Sequence, residues 1–108
     1  MLYIGVDLGT SAVKLLLMDG SGRIHKVVSR EYPLYFPHPA WSEQNPEDWF
    51  TASMDGMKEL TSECDKSQVA GISFGGQMHG LVTLDQADEV IRPAILWNDG
   101  RSEKETDY

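Results

Sequence analysis

Cysteine is almost absent: Cys64 stands alone, so no intrachain disulfide can form and the usage fits a reducing compartment. Long apolar runs are missing too. The stretch from Val13 to Met18 is already broken by Lys14, far short of the ~20 residues that cross a bilayer as a helix. No basic region precedes the first apolar run, and that run carries Asp7, so the start does not read as a secretory signal. The expected location is the cytoplasm. Positive charge is scarce: 9 Lys and Arg face 17 Asp and Glu, a formal charge of −8. Such a chain repels phosphate backbones and anionic lipid, which argues against a general nucleic-acid or membrane-surface role. The sequence shows no Cys/His cluster at metal-ligand spacing, no Ser–His–Asp grouping, no aromatic–basic stripe and no internal repeat.

What remains is an ordinary globular mix, 41% hydrophobic and 24% charged over 108 residues, enough for one domain with a core. Two β-prone runs, Leu2 to Val6 and Ala12 to Met18, flank the turn-rich Asp7-Leu8-Gly9-Thr10-Ser11 and read as a hairpin. Asp19 to Gly22 is a second turn, and Arg23 to Tyr32 a third strand, so the first three strands are expected to pair antiparallel. Pro33 to Pro46 reads as a loop. Asn45-Pro46-Glu47-Asp48 then starts a helix, with Asn as cap, Pro at the first position and acids in the first turn. The helix is expected to reach about Ser62, with Phe50, Met54, Met57, Leu60 and Cys64 on its buried face. Further strands are expected at Val69 to Phe74, Leu81 to Leu84 and Val90 to Trp97. Ser102 to Tyr108 reads as the first turns of a helix that is cut off, so the chain is expected to be truncated.

Four segments carry chemistry. The first is Asp7-Leu8-Gly9-Thr10-Ser11 with Lys14. Strand-to-strand placement rules out a P-loop. Amides of Gly9, Thr10 and Ser11 can still form an anion nest, with hydroxyls from Thr10 and Ser11 and a point charge from Lys14. Asp7 at a strand end can hold Mg²⁺ directly or through water. A plain hairpin whose Asp and Thr satisfy turn amides accounts for the same residues equally well.

The second is Gly75-Gly76-Gln77-Met78-His79-Gly80, where glycines expose backbone after a buried strand, the place where α/β sheets bind ligands. Gln77 and His79 suit hydroxyls and Met78 an apolar sugar face; a glycine-rich turn with a hydrogen-bonded His79 is the plainer reading. The third is Trp97-Asn98-Asp99-Gly100-Arg101, a polyol-binding edge or, more plainly, a helix entry with a salt-bridged Arg101 and a core Trp97. The fourth, Ala40 to Trp49, is best explained structurally, as aromatic anchors of the proline-rich loop and the helix cap.

Taken in order, these segments resemble the FGGY carbohydrate kinases, within the actin/hexokinase/heat-shock-70 superfold. Asp7 to Ser11 with Lys14 is similar to that family's first phosphate motif. Trp41-Ser42-Glu43-Gln44, then Pro46-Glu47 and Trp49, is similar to its loop-to-helix signature. Gly76-Gln77-Met78-His79-Gly80 resembles the substrate segment of xylulose-specific members, and Arg92 to Arg101 the next block. The resemblance spans essentially the whole chain.

It implies an α/β fold: a ribonuclease-H-like domain of the actin/hexokinase ATPase type, with a five-stranded mixed sheet. Residues 1–108 would be part of an FGGY N-terminal kinase domain. Its cofactors would be ATP and Mg²⁺, with Asp7 organising the metal and Gly9, Thr10, Ser11 and Lys14 lining the phosphate side. Met78 and His79, with Gln77 beside them, would contact D-xylulose or a related ketopentose. Asn98, Asp99 and Arg101 would shape or support that pocket. The general base, an aspartate well over a hundred residues further on, and the second domain would lie outside this chain. The 108-residue chain is therefore expected to be inactive, and to expose apolar surface that later helices cover. The resemblance admits a homodimer for the full-length protein. Two other readings stay open: a kinase for ribulose, gluconate or glycerol, and a non-catalytic sugar- or nucleotide-binding remnant.

Overall fold

The computed structural model describes residues 1–106; the last two positions of the expected terminal helix, Asp107 and Tyr108, lie outside the described residues. The chain forms two units, one made of Met1–Tyr32 and Trp49–Gly76, the other of Pro33–Asp48 and Gln77–Tyr108.

The first unit is a sheet with a helix on one face. Strands β1 (Leu2–Leu8), β2 (Ala12–Asp19) and β3 (Ile24–Glu31) form an antiparallel meander, and β5 (Val69–Gly76) lies parallel to β1, giving the order β3-β2-β1-β5. The expected mixed sheet with three leading antiparallel strands is thus present. It has four strands among the described residues, where five were expected.

Alternation along the strands separates two faces. Ile4 pairs with Leu17, Val6 with Leu15 and Leu8 with Val13, and this face carries the buried core. Gly5 with Leu16 and Asp7 with Lys14 fall on the other face.

Helix α1 (Pro46–Leu60) starts as the sequence predicts, with the Glu47 amide donating to Asn45 Oδ1 at 3.1 Å. Its buried face differs from the expected one. Trp49, Ala52, Gly56, Met57 and Leu60 turn toward the core, whereas Phe50 and Met54 are exposed. The reason is Gly56: a Cβ built there would lie 2.6 Å from Leu15 Cδ1. The helix approaches the sheet most closely along its glycine, and that contact sets its rotation. Beyond it, Arg30 of β3 pairs with Glu59, and Lys26 Nζ donates to the Glu59 carbonyl at 2.9 Å near the helix C-terminus, where a cation is favoured.

The helix leaves much of β5 bare. Ile72 and Phe74 are exposed, as are Phe50 and Met54, which meets the expectation of uncovered apolar surface. A parallel strand pair is normally covered on both faces, so this edge is unusual for an isolated domain.

The second unit is built on a short ribbon, β4 (Glu43–Gln44) against β6 (Ala94–Ile95). The sequence places β4 inside a loop, since two residues give no periodicity to read. The strands expected at Leu81–Leu84 and Val90–Trp97 reduce to single bridges, Leu81 to Ile95 and Leu84 to Val90, plus the two residues of β6. A tight turn, with the Asp85 amide donating to the Glu89 carbonyl at 2.9 Å, and the missing donor of Pro93 stop longer pairing. After Arg101 the chain makes turns and a short 3₁₀ stretch, Lys104–Thr106. No helix among the described residues is long and apolar enough to cross a membrane.

Candidate functional site

In the first unit the polar face of the sheet carries the phosphate-type motif. Asp7 stands opposite Lys14 in the antiparallel pair and opposite Gly75 in the parallel one. Gly5, Asp7, Lys14, Leu16, Ser73 and Gly75 line an open groove of about 350 Å³. Glycines at 5 and 75 keep its floor at backbone level. Gly76, at the end of β5, leaves room for nothing else: a Cβ there would sit 2.6 Å from the Leu8 carbonyl oxygen. Among the described residues neither Asp7 nor Lys14 enters an ion pair, and the two opposite charges face the groove from neighbouring strands.

The turn between β1 and β2 is clamped from outside. The Gly9 amide donates to the Ala12 carbonyl at 2.9 Å, which commits the first amide of the expected nest to the turn itself. The Tyr32 hydroxyl donates to the Gly9 carbonyl, and the Tyr32 amide to the Ser11 carbonyl at 3.2 Å. Burial, seconded by the negative charge of Asp7, pushes the Tyr32 phenol up to about 12. Sequence reasoning missed this clamp; a tyrosine closing a third strand carries no local sign that it reaches back 23 residues.

In the second unit the structure brings Asp99 and Arg101 together and adds two residues the sequence left in a structural loop. Asp99 Oδ2 accepts the Ser42 amide at 2.6 Å and Arg101 Nη2 at 2.7 Å; Oδ1 accepts the Arg101 amide and Nε, both at 2.9 Å. These donors, Arg101 foremost, hold the Asp99 carboxyl well below the usual carboxylate range. Arg101 also donates to Glu43 Oε2 at 2.8 Å, and its guanidinium carbon lies 3.7 Å from the Trp41 ring centroid. Arg92 donates to the same Glu43 oxygen at 2.7 Å. Two carboxylates and two guanidiniums thus form a charge-balanced group around β4, and the salt-bridged reading of Arg101 holds. The companion expectation of a core Trp97 does not: the residue is 57% exposed, while its neighbour Leu96 takes the inward place at 3%. Both Asp99 oxygens are spoken for, so its contribution is support. Asn98 and Trp97 present the exposed edge.

The loop after β5 is held and displayed. Gln77 Nε2 donates to Gln44 Oε1 at 3.0 Å, and the Leu81 amide donates to the Ile95 carbonyl at 2.8 Å. Between these anchors Met78 and His79 are exposed, and His79 adopts φ of +63°, a left-handed conformation that costs a non-glycine residue of order 1 kcal/mol or more. Backbone strain of this kind collects at functional sites.

The N-terminal domain of the FGGY family of carbohydrate kinases matches residues 2–108. The chain belongs to the FGGY family. A xylulose kinase of Klebsiella pneumoniae is 45% identical over 104 residues, 96% of this chain and 22% of that protein. Among solved structures, a xyloylose kinase from Brucella ovis superposes with a TM-score of 0.92 at 44% identity, over 97% of this chain and 22% of that one. A gluconate kinase from Lactobacillus acidophilus superposes at 0.91 with 34% identity, over 96% and 21%. The fold is therefore that of the sugar kinases, as expected. The chain spans about a fifth of the length of the curated relatives it matches.

Proposed function

We propose that this FGGY domain supplies the phosphate turn and part of the sugar pocket of a cytoplasmic kinase that converts D-xylulose to D-xylulose 5-phosphate with ATP and Mg²⁺. The observation that carries the reading is the stapled loop: Gln77 and Leu81 are fixed, so Met78 and His79 are presented together, in the segment that resembles the substrate segment of xylulose-specific members. The 45% identity to a xylulose kinase over nearly the whole chain supports the same substrate.

Transfer of a γ-phosphoryl group needs positioning and charge neutralisation more than covalent help. Lys14 offers a positive charge to phosphate oxygens, with the hydroxyls of Thr10 and Ser11 beside it in sequence. Among the described residues no three His, Cys, Asp or Glu groups converge as a metal cage. A single unpaired carboxylate, Asp7, fits Mg²⁺, which keeps most of its waters and takes one or two protein carboxylates. Bound there with the nucleotide, Mg²⁺ would neutralise phosphate charge. The proton of the attacking sugar hydroxyl must go to a base. The resemblance implies a base further along the sequence than these 108 residues reach, so they are expected to bind without turning over.

Similarity to a gluconate kinase at nearly equal TM-score favours gluconate as the second reading. The test is a chimera in which this chain replaces the matching fifth of a xylulose kinase relative, assayed for sugar-dependent ADP release. D-xylulose is expected to give the highest kcat/KM among D-xylulose, D-ribulose, D-gluconate and glycerol, and Asp7→Asn to lower kcat at least a hundredfold. Preference for gluconate overturns the substrate; absence of ADP release with every sugar overturns the kinase reading.

A further inference from the structure

Tyr32 is buried in the core cluster of the first unit, yet its hydroxyl and its amide both bond to the β1–β2 turn. The strand register brings it there. Ala12 pairs with Glu31, so the next residue of the chain stands level with the turn, one step beyond the ladder. The hydroxyl then donates to the Gly9 carbonyl and the amide to the Ser11 carbonyl at 3.2 Å.

These bonds fix more than two oxygens. A trans peptide unit is planar, with its C=O and N–H pointing in opposite directions. Holding the Gly9 carbonyl against the phenol therefore turns the N–H edge of the Gly9–Thr10 peptide away from the Tyr32 ring. The Ser11 carbonyl is drawn to the end of β3 as well, so the negative ends of two peptide dipoles are withdrawn to one side. An anion nest needs this separation, with N–H groups facing the ligand and carbonyl oxygens turned from it. The turn is also within a ligand's reach: Thr10 is half-buried and Ser11 exposed. It begins two residues after Asp7 and ends two before Lys14, and both of these line the groove. Phenylalanine would pack the same ring in the core but bring no donor to the turn.

We propose that Tyr32 is a positioning residue for nucleotide phosphate: it holds the Gly9 carbonyl oxygen away from the phosphate and so keeps the N–H edge of that peptide toward it. The proposal rests on the sugar-kinase reading and deepens it, naming a support of the phosphate turn that comes from another strand.

The test uses the same chimera and reads binding as well as turnover. Tyr32→Phe removes the hydroxyl alone. By calorimetry this variant is expected to bind Mg·ATP at least fivefold more weakly, while adenosine, which carries no phosphate, stays within about twofold of the parent. The KM for ATP is expected to rise at least fivefold and the sugar KM to stay within about twofold. Val28→Ala removes buried packing from β3 opposite Leu15, away from the turn, and controls for lost stability. It is expected to leave both Kd values within about twofold. An unchanged Mg·ATP Kd in Tyr32→Phe overturns the proposal, as does an equal loss for adenosine or a matching loss in Val28→Ala. Should the Phe variant not fold, ¹H–¹⁵N spectra of the parent chimera decide: Mg·ATP is expected to shift the Thr10 and Tyr32 amides and adenosine to leave them in place. A Thr10 amide unmoved by saturating Mg·ATP overturns the proposal. A parent that prefers gluconate loses the substrate reading but not this test, whose readout is the nucleotide. A parent that binds no nucleotide removes the kinase reading and the proposal with it.

Discussion

Glu43 and Arg101 are 58 residues apart in sequence, yet Arg101 Nη2 donates to Glu43 Oε2 at 2.8 Å, with the Glu43 side chain 9% exposed. That pairing ties the end of the proline-rich loop to the turn after β6. Arg101 meets Asp99 and the Trp41 face at the same time, so one guanidinium ties the Trp41–Glu43 stretch to its own turn.

Breaking a buried pair by deleting one partner typically costs about 3–5 kcal/mol, because the other charge is stranded. Arg101→Ala is expected to fall in that range by urea unfolding. Arg101→Lys keeps the charge but loses the planar fork and the stack on Trp41, and is expected to cost more than about 1 kcal/mol. A lysine variant as stable as the parent would contradict the account of the site.

Gly56 tests the helix–sheet contact. An exposed helical glycine gains about 1 kcal/mol on becoming alanine. Here the added methyl would meet Leu15, which is fully buried, and overpacking costs about 1–3 kcal/mol. Net destabilisation of about 1 kcal/mol is expected for Gly56→Ala in thermal or urea unfolding. Stabilisation would show that the helix sits further from the sheet.

Tyr32 gives a pH signature. The folded tyrosine holds its proton to about 12, the unfolded one only to about 10. Its contribution is complete below pH 10 and is lost as pH climbs toward 12. Urea unfolding across that window should show stability falling in the parent and a shallower fall in Tyr32→Phe. At neutral pH the Phe variant is expected to lose about 1–3 kcal/mol, since the Gly9 carbonyl is left without its donor. Identical alkaline profiles would contradict the clamp.

The sequence made much of the first unit legible, because its rules are local. Alternation in Leu2–Leu8 and Ala12–Asp19 marks a two-faced sheet, and Asn45-Pro46-Glu47 marks a helix start without tertiary help. The helix rotation was not legible: Phe50 and Met54 look like core residues by spacing, and only the Gly56–Leu15 approach turns them outward. Trp97 failed for a like reason, since hydrophobicity alone does not say whether a tryptophan is core or edge. The candidate site residues lie in three short motifs, Asp7 to Lys14, Gln77 to His79 and Asn98 to Arg101. Their supports, Tyr32, Glu43 and Gln44, act across 23, 58 and 33 residues, and no spacing rule reaches that far. Glu43 and Gln44 sit on a strand of two residues, too short to leave a periodic trace.

The most direct measurement is a ¹H–¹⁵N NMR titration of this chain with D-xylulose, D-gluconate and glycerol in turn. It needs neither the base nor a second domain. A dispersed spectrum is expected, in which D-xylulose shifts the amides of Gln77 to Gly80 and the side-chain amides of Gln77 and Asn98, while glycerol leaves them in place. A dispersed spectrum in which D-xylulose moves none of these signals, or moves them no more than glycerol does, would contradict a ketopentose site built on this loop.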